Sequence, residues 1–226
     1  MIHQQKKGAF SQLLASARIN PSEFSLTKKN PNASGTPTDP TLLAKWIRKA
    51  KRGDVGSYQK IYDIFARKVL NFIYRMVNSA EEAEDLTQET FVTVYQKLET
   101  LKDDSKFEPW LFRIARNYVY QRYRGRSPVT VSIDTLDEDG QPITQLIDER
   151  KNPDEAFQSG ELENVIQGAI NSLPEKYREV FVLSAIHKLS YQEIADIVGH
   201  SLPSVKTDIH RARLEVRKRV KEYLRV

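Results

Sequence analysis

Residues Leu189–Arg213, LSYQEIADIVGHSLPSVKTDIHRAR, decide how this chain folds. Ser190 stands three residues before Glu193, the spacing of a capping box. In that motif the hydroxyl accepts from a backbone N–H while the carboxylate reaches back to the serine's own N–H. Leu189 and Ile194 occupy the two positions of a hydrophobic staple, which sets how the chain enters the helix. Gly199 takes the left-handed conformation at little cost and stops that helix. Ser201 is placed to cap the next helix, and Pro203 falls in its first turn, where a missing N–H costs little. Val205, Ile209, Ala212, Val216 and Val220 then recur at spacings of four, three, four and four, a single apolar stripe. That leaves Lys206, Thr207, His210, Arg211 and Arg213 on or near the outward surface. Two short helices with a glycine turn and a basic second helix form a major-groove reader; a plain helical hairpin with a solvated basic face fits the same pattern.

Upstream of this motif the helical period persists. It runs from about Glu161 through Leu162–Ile170, breaks at Leu173-Pro174 and resumes over Tyr177–Ala185. Residues 127–160 carry Pro128, Gly140, Pro142 and Pro153 and no helical period, the composition of an extended linker. Before it, four helices are expected. The first runs from near Thr41 to about Arg52, ended by Gly53 and Asp54. The second shows Tyr58, Ile61, Phe65, Val69, Phe72 and Met76 at steps of three and four. The third is capped by Ser79, with Glu82 completing a second capping box, and runs to about Leu98. The fourth starts near Pro109, with Phe107, Trp110, Ile114 and Tyr118 on one face, and frays around Gly125–Pro128. Four such helices can bury a common core, so residues 41–126 make a self-sufficient small domain. Residues 1–40 are polar and proline-punctuated and are expected to be largely disordered, with Phe10, Leu13, Leu14 and Ala17 able to form a short amphipathic turn. The expected fold is all-α: two small helical domains joined by a flexible acidic linker.

Charge follows the same division. Lys and Arg against Asp and Glu number 5 and 2 in residues 1–40, 17 and 11 in 41–126, 2 and 8 in 127–160, and 11 and 9 in 161–226. Two basic helical blocks flank a strongly acidic connector, which suits a polyanion gripped at two places; either block taken singly is equally a solvated surface. The chain has no cysteine, which removes disulfides, thiol nucleophiles and thiolate zinc sites and agrees with a reducing cytoplasm. No apolar run approaches a membrane span and no secretion signal is present, so no membrane insertion is expected. The four histidines, His3, His187, His200 and His210, are scattered. With no nucleophile–base pattern and no glycine-rich phosphate loop, no catalytic residue, metal site or cofactor is expected.

Three runs carry a resemblance: AEDLTQETF at Ala83–Phe91, FEPWLFRIARN at Phe107–Asn117, and LPEKYREVFVL at Leu173–Leu183 followed by VKTDIHRAR at Val205–Arg213. Together they resemble an extracytoplasmic-function sigma factor of the sigma-70 family, the dissociable bacterial RNA polymerase subunits that select promoters. The resemblance covers roughly 41–126 and 160–224. It implies a sigma domain 2 over 41–126 that binds core polymerase and the minus-10 element. It also implies a sigma domain 4 over 161–226 that binds the minus-35 element, with the acidic linker of 127–160 between them.

Glu84, Asp85, Gln88 and Glu89 share one helical face by their spacing of four. Clustered carboxylates suit a metal site or an acid–base pair, but without a histidine they more often meet a basic partner. The resemblance makes that partner the clamp helices of core RNA polymerase, with Leu86 and Phe91 available for apolar contact; both are also candidates for the core. It makes Leu101–Phe107 the loop that captures a base flipped from the minus-10 element, with Leu101, Lys102, Asp104, Ser105, Phe107, Phe112 and Asn117 as candidates. A flipped base needs a stacking surface and polar edge contacts. Trp110 lies on the apolar stripe and reads as core. Arg113, Arg116, Tyr118, Tyr120, Arg122, Tyr123 and Arg124 interleave cations with aromatics, which suits a phosphate track beside unstacked bases. Lys206, Thr207, His210 and Arg211 align with base-reading positions in the minus-35 major groove, while Ser204 and Arg213 suit phosphate contacts.

Three positions depart from the family. Asp208 stands where a basic residue is usual, and either points away from DNA or accepts from a cytosine amino group. Pro203 replaces a common glycine, and Thr93 stands where a basic DNA-contacting residue occurs. The resemblance implies core RNA polymerase, promoter DNA and an anti-sigma factor as partners, and a cytoplasmic, non-enzymatic role. From the residues alone an autonomous helix-turn-helix regulator or a protein-interaction adaptor remains open.

Overall fold

The computed structural model of the chain describes residues 40–124 and 165–224. The expectations for residues 1–39 and for the acidic linker lie outside the described residues. Those described are helical throughout, with no strand among them: α1 Pro40–Lys51, α2 Val55–Val77, α3 Ala80–Lys97, α4 Phe107–Arg124, α5 at 165–171, α6 Glu175–Phe181, α7 Tyr191–Val198 and α8 Leu202–Leu224. None of these helices is long and apolar enough to cross a membrane. They divide into two units, residues up to 73 together with 80–118, and 74–79 together with those from 119 onward.

The first unit is built on the aromatic stripe of α2. Tyr58, Ile61, Phe65, Val69 and Phe72 have no solvent exposure. Against them stand Phe91 and Val94 from α3 and Phe107, Leu111 and Phe112 from α4, also without exposure. The rings meet edge to face, Tyr62 on Phe91 at 4.7 Å, Phe65 on Phe107 at 5.3 Å and Phe72 on Phe112 at 5.5 Å between centroids. That geometry adds ~0.5–1.5 kcal/mol per pair beyond area burial. The Tyr58 hydroxyl donates to the Phe91 carbonyl at 2.6 Å and ties α2 to α3. Helix α4 begins at Phe107, two residues earlier than the proline suggested, because Phe107 is itself a core residue that the first turn must deliver.

In the second unit the expected capping box is formed. The Ser190 side chain accepts from Glu193 N and the Glu193 carboxylate accepts from Ser190 N at 2.8 Å. Leu189 and Ile194 are both buried, as a staple requires. Gly199 ends α7 with φ 74°. Val205, Ile209, Ala212 and Val216 of α8 are buried on one side.

One feature of this unit was not expected. Helix α6 passes into a single π-helical stretch, Val182–Ile186, and the chain then turns at Lys188, a non-glycine residue with φ 55°. The sequence offers no glycine there. The turn is fixed instead by Leu189 N donating to the Leu183 carbonyl at 3.1 Å, and it delivers Leu189 to its staple position. The carbonyl end of α5 is closed by Arg178, whose guanidinium donates to the carbonyls of Asn171 and Leu173.

Candidate functional site

On α3 the carboxylates at 85 and 89 and the amide at 88 stand exposed, and Glu84 is half-buried. Asp85, Gln88 and Glu89, with Val92 and Tyr118, line an open cleft. The Tyr118 hydroxyl is hydrogen-bonded to Thr93 Oγ1 at 2.6 Å, which holds the ring as one wall and also occupies the threonine. Asp85 and Glu89 have no ion-pair partner among the described residues. They therefore present uncompensated negative charge from a rigid helix.

Leu86 and Phe91, from the same motif, point the other way. Leu86 is buried and Phe91 has no exposure at all, packed on Tyr62. The period of 3.6 explains the split: 86 and 91 lie on the stripe with 83, 87, 90 and 94, whereas 85, 88, 89 and 92 lie outside it.

Between α3 and α4 the chain makes two 3-10 turns, Leu98–Thr100 and Asp104–Lys106. The Asp103 carboxylate accepts from Ser105 N at 2.9 Å and from the Ser105 hydroxyl at 2.7 Å, capping the second turn. Those bonds hold the Asp103 carboxyl below the usual carboxylate range. The Lys51 ammonium, from the last turn of α1, donates to the Leu101 carbonyl and to Asp104 Oδ1, each at 2.6 Å.

The loop residues singled out by sequence thus separate by environment. Leu101 is buried, Asp104 is occupied by Lys51, Ser105 is occupied by Asp103, and Lys102 projects exposed between them. Phe107 and Phe112 are fully buried on Phe65 and Phe72 and offer no stacking face. Arg113 and Asn117 are exposed one turn apart on α4, and Arg116 is half-buried beside them. Lys51 and Asp103 escaped the sequence reading. Asp103 carries a signal, an acidic residue two before a serine in a turn. Lys51 carries none, since its partners lie 50 and 53 residues away.

On α8, Lys206 and Thr207 are exposed, while Ser204, His210, Arg211 and Arg213 are half-buried. Thr207 Oγ1 donates to the Pro203 carbonyl at 3.1 Å. Arg211 donates to the Tyr177 hydroxyl and Arg213 to the Ser184 hydroxyl, each at 3.2 Å. Both guanidiniums are thereby held along the helix surface.

Asp208 faces inward. Its side chain is 3% exposed and its Oδ2 lies 3.1 Å from the Lys176 ammonium of α6, an ion pair although not aligned as a hydrogen bond. Of the two orientations the sequence leaves open, the structure has the one pointing away from the exposed face of α8. The carboxylate consequently takes no negative charge to the surface that Lys206 and Thr207 share.

Two family models match the chain: Sigma-70 region 2 over residues 61–128, and Sigma-70, region 4 over residues 163–216. The ECF RNA polymerase sigma factor SigW of Bacillus subtilis (strain 168) is 36% identical over 183 residues, covering 80% of this chain and 98% of that protein. The ECF RNA polymerase sigma-E factor of Escherichia coli (strain K12) is 30% identical over 181 residues, covering 79% of this chain and 94% of that one. Among solved structures, CnrH in complex with the cytosolic domain of CnrY aligns with a TM-score of 0.58 at 20% identity, over 80% of this chain and 98% of the other. The sigma factor RpoE in complex with the anti-sigma factor NepR, from Bartonella quintana, aligns with a TM-score of 0.55 at 21% identity, over 74% and 98%. At those identities the structural likeness carries the fold alone.

Proposed function

The chain belongs to the ECF RNA polymerase sigma factors of the sigma-70 family, and from that premise we propose how its surfaces divide the work of promoter-specific initiation. The acidic face of α3, Asp85, Gln88 and Glu89 with Glu84 at its edge, docks on basic side chains of core RNA polymerase. The loop from Leu101 to Lys106 receives a base extruded from the minus-10 element, with Lys102 the side chain nearest to it and Arg113, Arg116 and Asn117 carrying the strand onward. The exposed face of α8 enters the minus-35 major groove, Lys206, Thr207, His210 and Arg211 toward base edges and Ser204 and Arg213 toward phosphates. The protein contributes selection and melting, and no bond-making chemistry of its own. It works in the cytoplasm where polymerase and promoter are, and an anti-sigma factor holds it inactive by covering these same faces.

The observation that carries this reading is the pairing of opposite charges with the two matched regions. Region 2 exposes unpaired carboxylates on α3, and region 4 exposes a cationic helix whose first acid, Asp208, is turned inward while Glu215 is paired with Arg219. An autonomous DNA-binding regulator has no use for the first of these. Transcription in vitro with core polymerase on a genomic fragment library is expected to give discrete start sites with shared upstream elements. Failure to bind core polymerase would favour the regulator instead.

Within that reading, Arg211→Ala is expected to cost on the order of 1–3 kcal/mol at one upstream base position and little at the others. The guanidinium must exchange its bond to Tyr177 for a base edge, so Tyr177→Phe should leave the preference at that position in place. Measured affinities for a set of duplexes varied at each upstream position decide it. A uniform loss across all sequences marks Arg211 as a phosphate contact.

A further inference from the structure

We infer that Lys51 is a positioning residue for minus-10 recognition: from the end of α1 it holds the base-capture loop in its receptive shape without touching the base. The inference rests on the proposed role of the Leu101–Lys106 loop and assigns that role a determinant outside the loop.

The geometry is specific. Lys51 Nζ has three donors and spends two of them on the loop, one on a main-chain carbonyl at Leu101 and one on the carboxylate of Asp104. Both bonds are 2.6 Å, and both side chains of the ion pair are about four-fifths buried, at 21% and 19% exposure. Charge-assisted bonds of that length, shielded from water, are about twice as strong as neutral ones. The lysine also has a firm base. Ile47 and Ala50 of the same helix are buried in the first unit, at 0% and 6% exposure. The ammonium is thus delivered by a packed element rather than by a mobile one.

The two contacts bracket a two-residue span. Leu101 is fixed through its carbonyl and its buried side chain, and Asp104 through its carboxylate, while the exposed Asp103 carboxylate caps Ser105. Lys102, Asp103, Ser105 and Lys106 stay exposed, with Lys102 the cation inside the bracketed span. Asp104, with Oδ1 taken by Lys51, serves the loop's shape and not the reading of the base.

A loop held this way has its ordering entropy settled before DNA arrives, so binding energy goes to discrimination among bases. Without the ammonium the Leu101 carbonyl and the Asp104 carboxylate lose their shared partner, and the span between them is free to take several shapes. Each shape accepts a base less selectively.

The test uses holoenzyme reconstituted from the full chain and core polymerase. The probe is a single-stranded, non-template minus-10 oligonucleotide of a mapped promoter, with all four bases placed in turn at each position. Lys51→Met keeps the length and the aliphatic stem but removes the charge, and Lys51→Arg restores a charged donor. Wild-type protein should favour one base at the captured position. Lys51→Met should reduce that preference about tenfold, the usual worth of a lost charge-assisted bond, and Lys51→Arg should recover most of it. Core-polymerase affinity and minus-35 duplex affinity should stay at wild-type values, and the thermal midpoint should fall only by the modest amount that the lost ion pair brings.

A merely structural lysine gives a different result: equal weakening for all four bases, with no change in the preference among them, which overturns the inference. So does a Lys51→Met preference equal to wild type. Asp104→Asn, which keeps the acceptor oxygen and removes the charge, should fall between Lys51→Met and wild type, and separates loss of the pair from any misfolding of α1. If wild-type protein shows no base preference at any minus-10 position, the base-capture reading fails, and this inference with it. If wild type discriminates and Lys51→Met discriminates equally, only the role of Lys51 fails.

Discussion

Reversing Asp85 and Glu89 together, as Asp85→Lys with Glu89→Lys, is expected to raise the dissociation constant for core RNA polymerase at least about a hundredfold. The two carboxylates stand one turn apart on α3, exposed and without an ion-pair partner among the described residues. They flank Gln88 beside the cleft that Val92 and Tyr118 complete. Breaking a charge pair that is desolvated in a complex costs about 2–5 kcal/mol, much of it from the partner charge left buried and unpaired. Reversal adds repulsion to that loss, and about 2.7 kcal/mol already amounts to a hundredfold. The fold should not notice. One like-charge pair at i, i+4 is replaced by another, worth the same few tenths of a kcal/mol, and lysine is no worse a helix former than the acids. Titration of labelled core polymerase, with thermal unfolding measured in parallel, decides the matter. Unchanged affinity would remove the acidic face from the polymerase interface.

How far such surfaces were legible in the sequence depends on the range of the interactions that set them. The capping box at Ser190 and Glu193, the Gly199 stop and the apolar stripe of α8 are decided within a few residues, and the structure has each of them, the stripe buried from Val205 to Val216 and half-buried at Val220. The outward placement of Asp85, Gln88, Glu89, Lys206 and Thr207 follows from the same 3.6-residue period. What sequence hides is set at a distance. Sequence leaves Asp208 two orientations, toward DNA or away from it, and only Lys176, 32 positions earlier, draws it inward. Lys51 reads as one more basic residue at a helix end, where cations favour the dipole, and only the fold aims it at a loop 50 residues on. The π-helical stretch Val182–Ile186 and the left-handed Lys188 have no local signature, because packing imposes them against propensity. Phe91 is an intermediate case. Its stripe includes Thr87 and Thr90, both buried, and polar residues there break the apolar pattern that would have marked it. Their hydroxyls are satisfied by the carbonyls of Ala83 and Leu86, at 2.6 and 2.7 Å, so the stripe is a core face although it is not wholly apolar.

Phe91→Ala therefore tests the fold and not the interface. The ring is fully buried against Tyr62, and its carbonyl receives the Tyr58 hydroxyl, so α2 and α3 are joined through this one residue by both side chain and backbone. Truncation removes the aromatic surface and the edge-to-face contact and leaves a void between two helices whose backbones are already tied. Substitutions of this kind cost about 3–5 kcal/mol. Against a domain stability of about 5–15 kcal/mol that is a large fraction, and the thermal midpoint of the first unit should fall by more than about 10 °C. Phe91→Leu, which fills most of the volume, should recover the greater part of the loss. Were Phe91 a polymerase contact instead, the midpoint would hold and affinity alone would drop, and would stay low at every temperature. With a core residue the affinity returns as the sample is cooled into the folded range. Combining Phe91→Ala with the double reversal at 85 and 89 separates the two faces of α3. The stability loss should equal that of Phe91→Ala alone and the affinity loss, measured where the protein is folded, that of the reversal alone, because side chains on opposite faces of one helix share no partner to couple them.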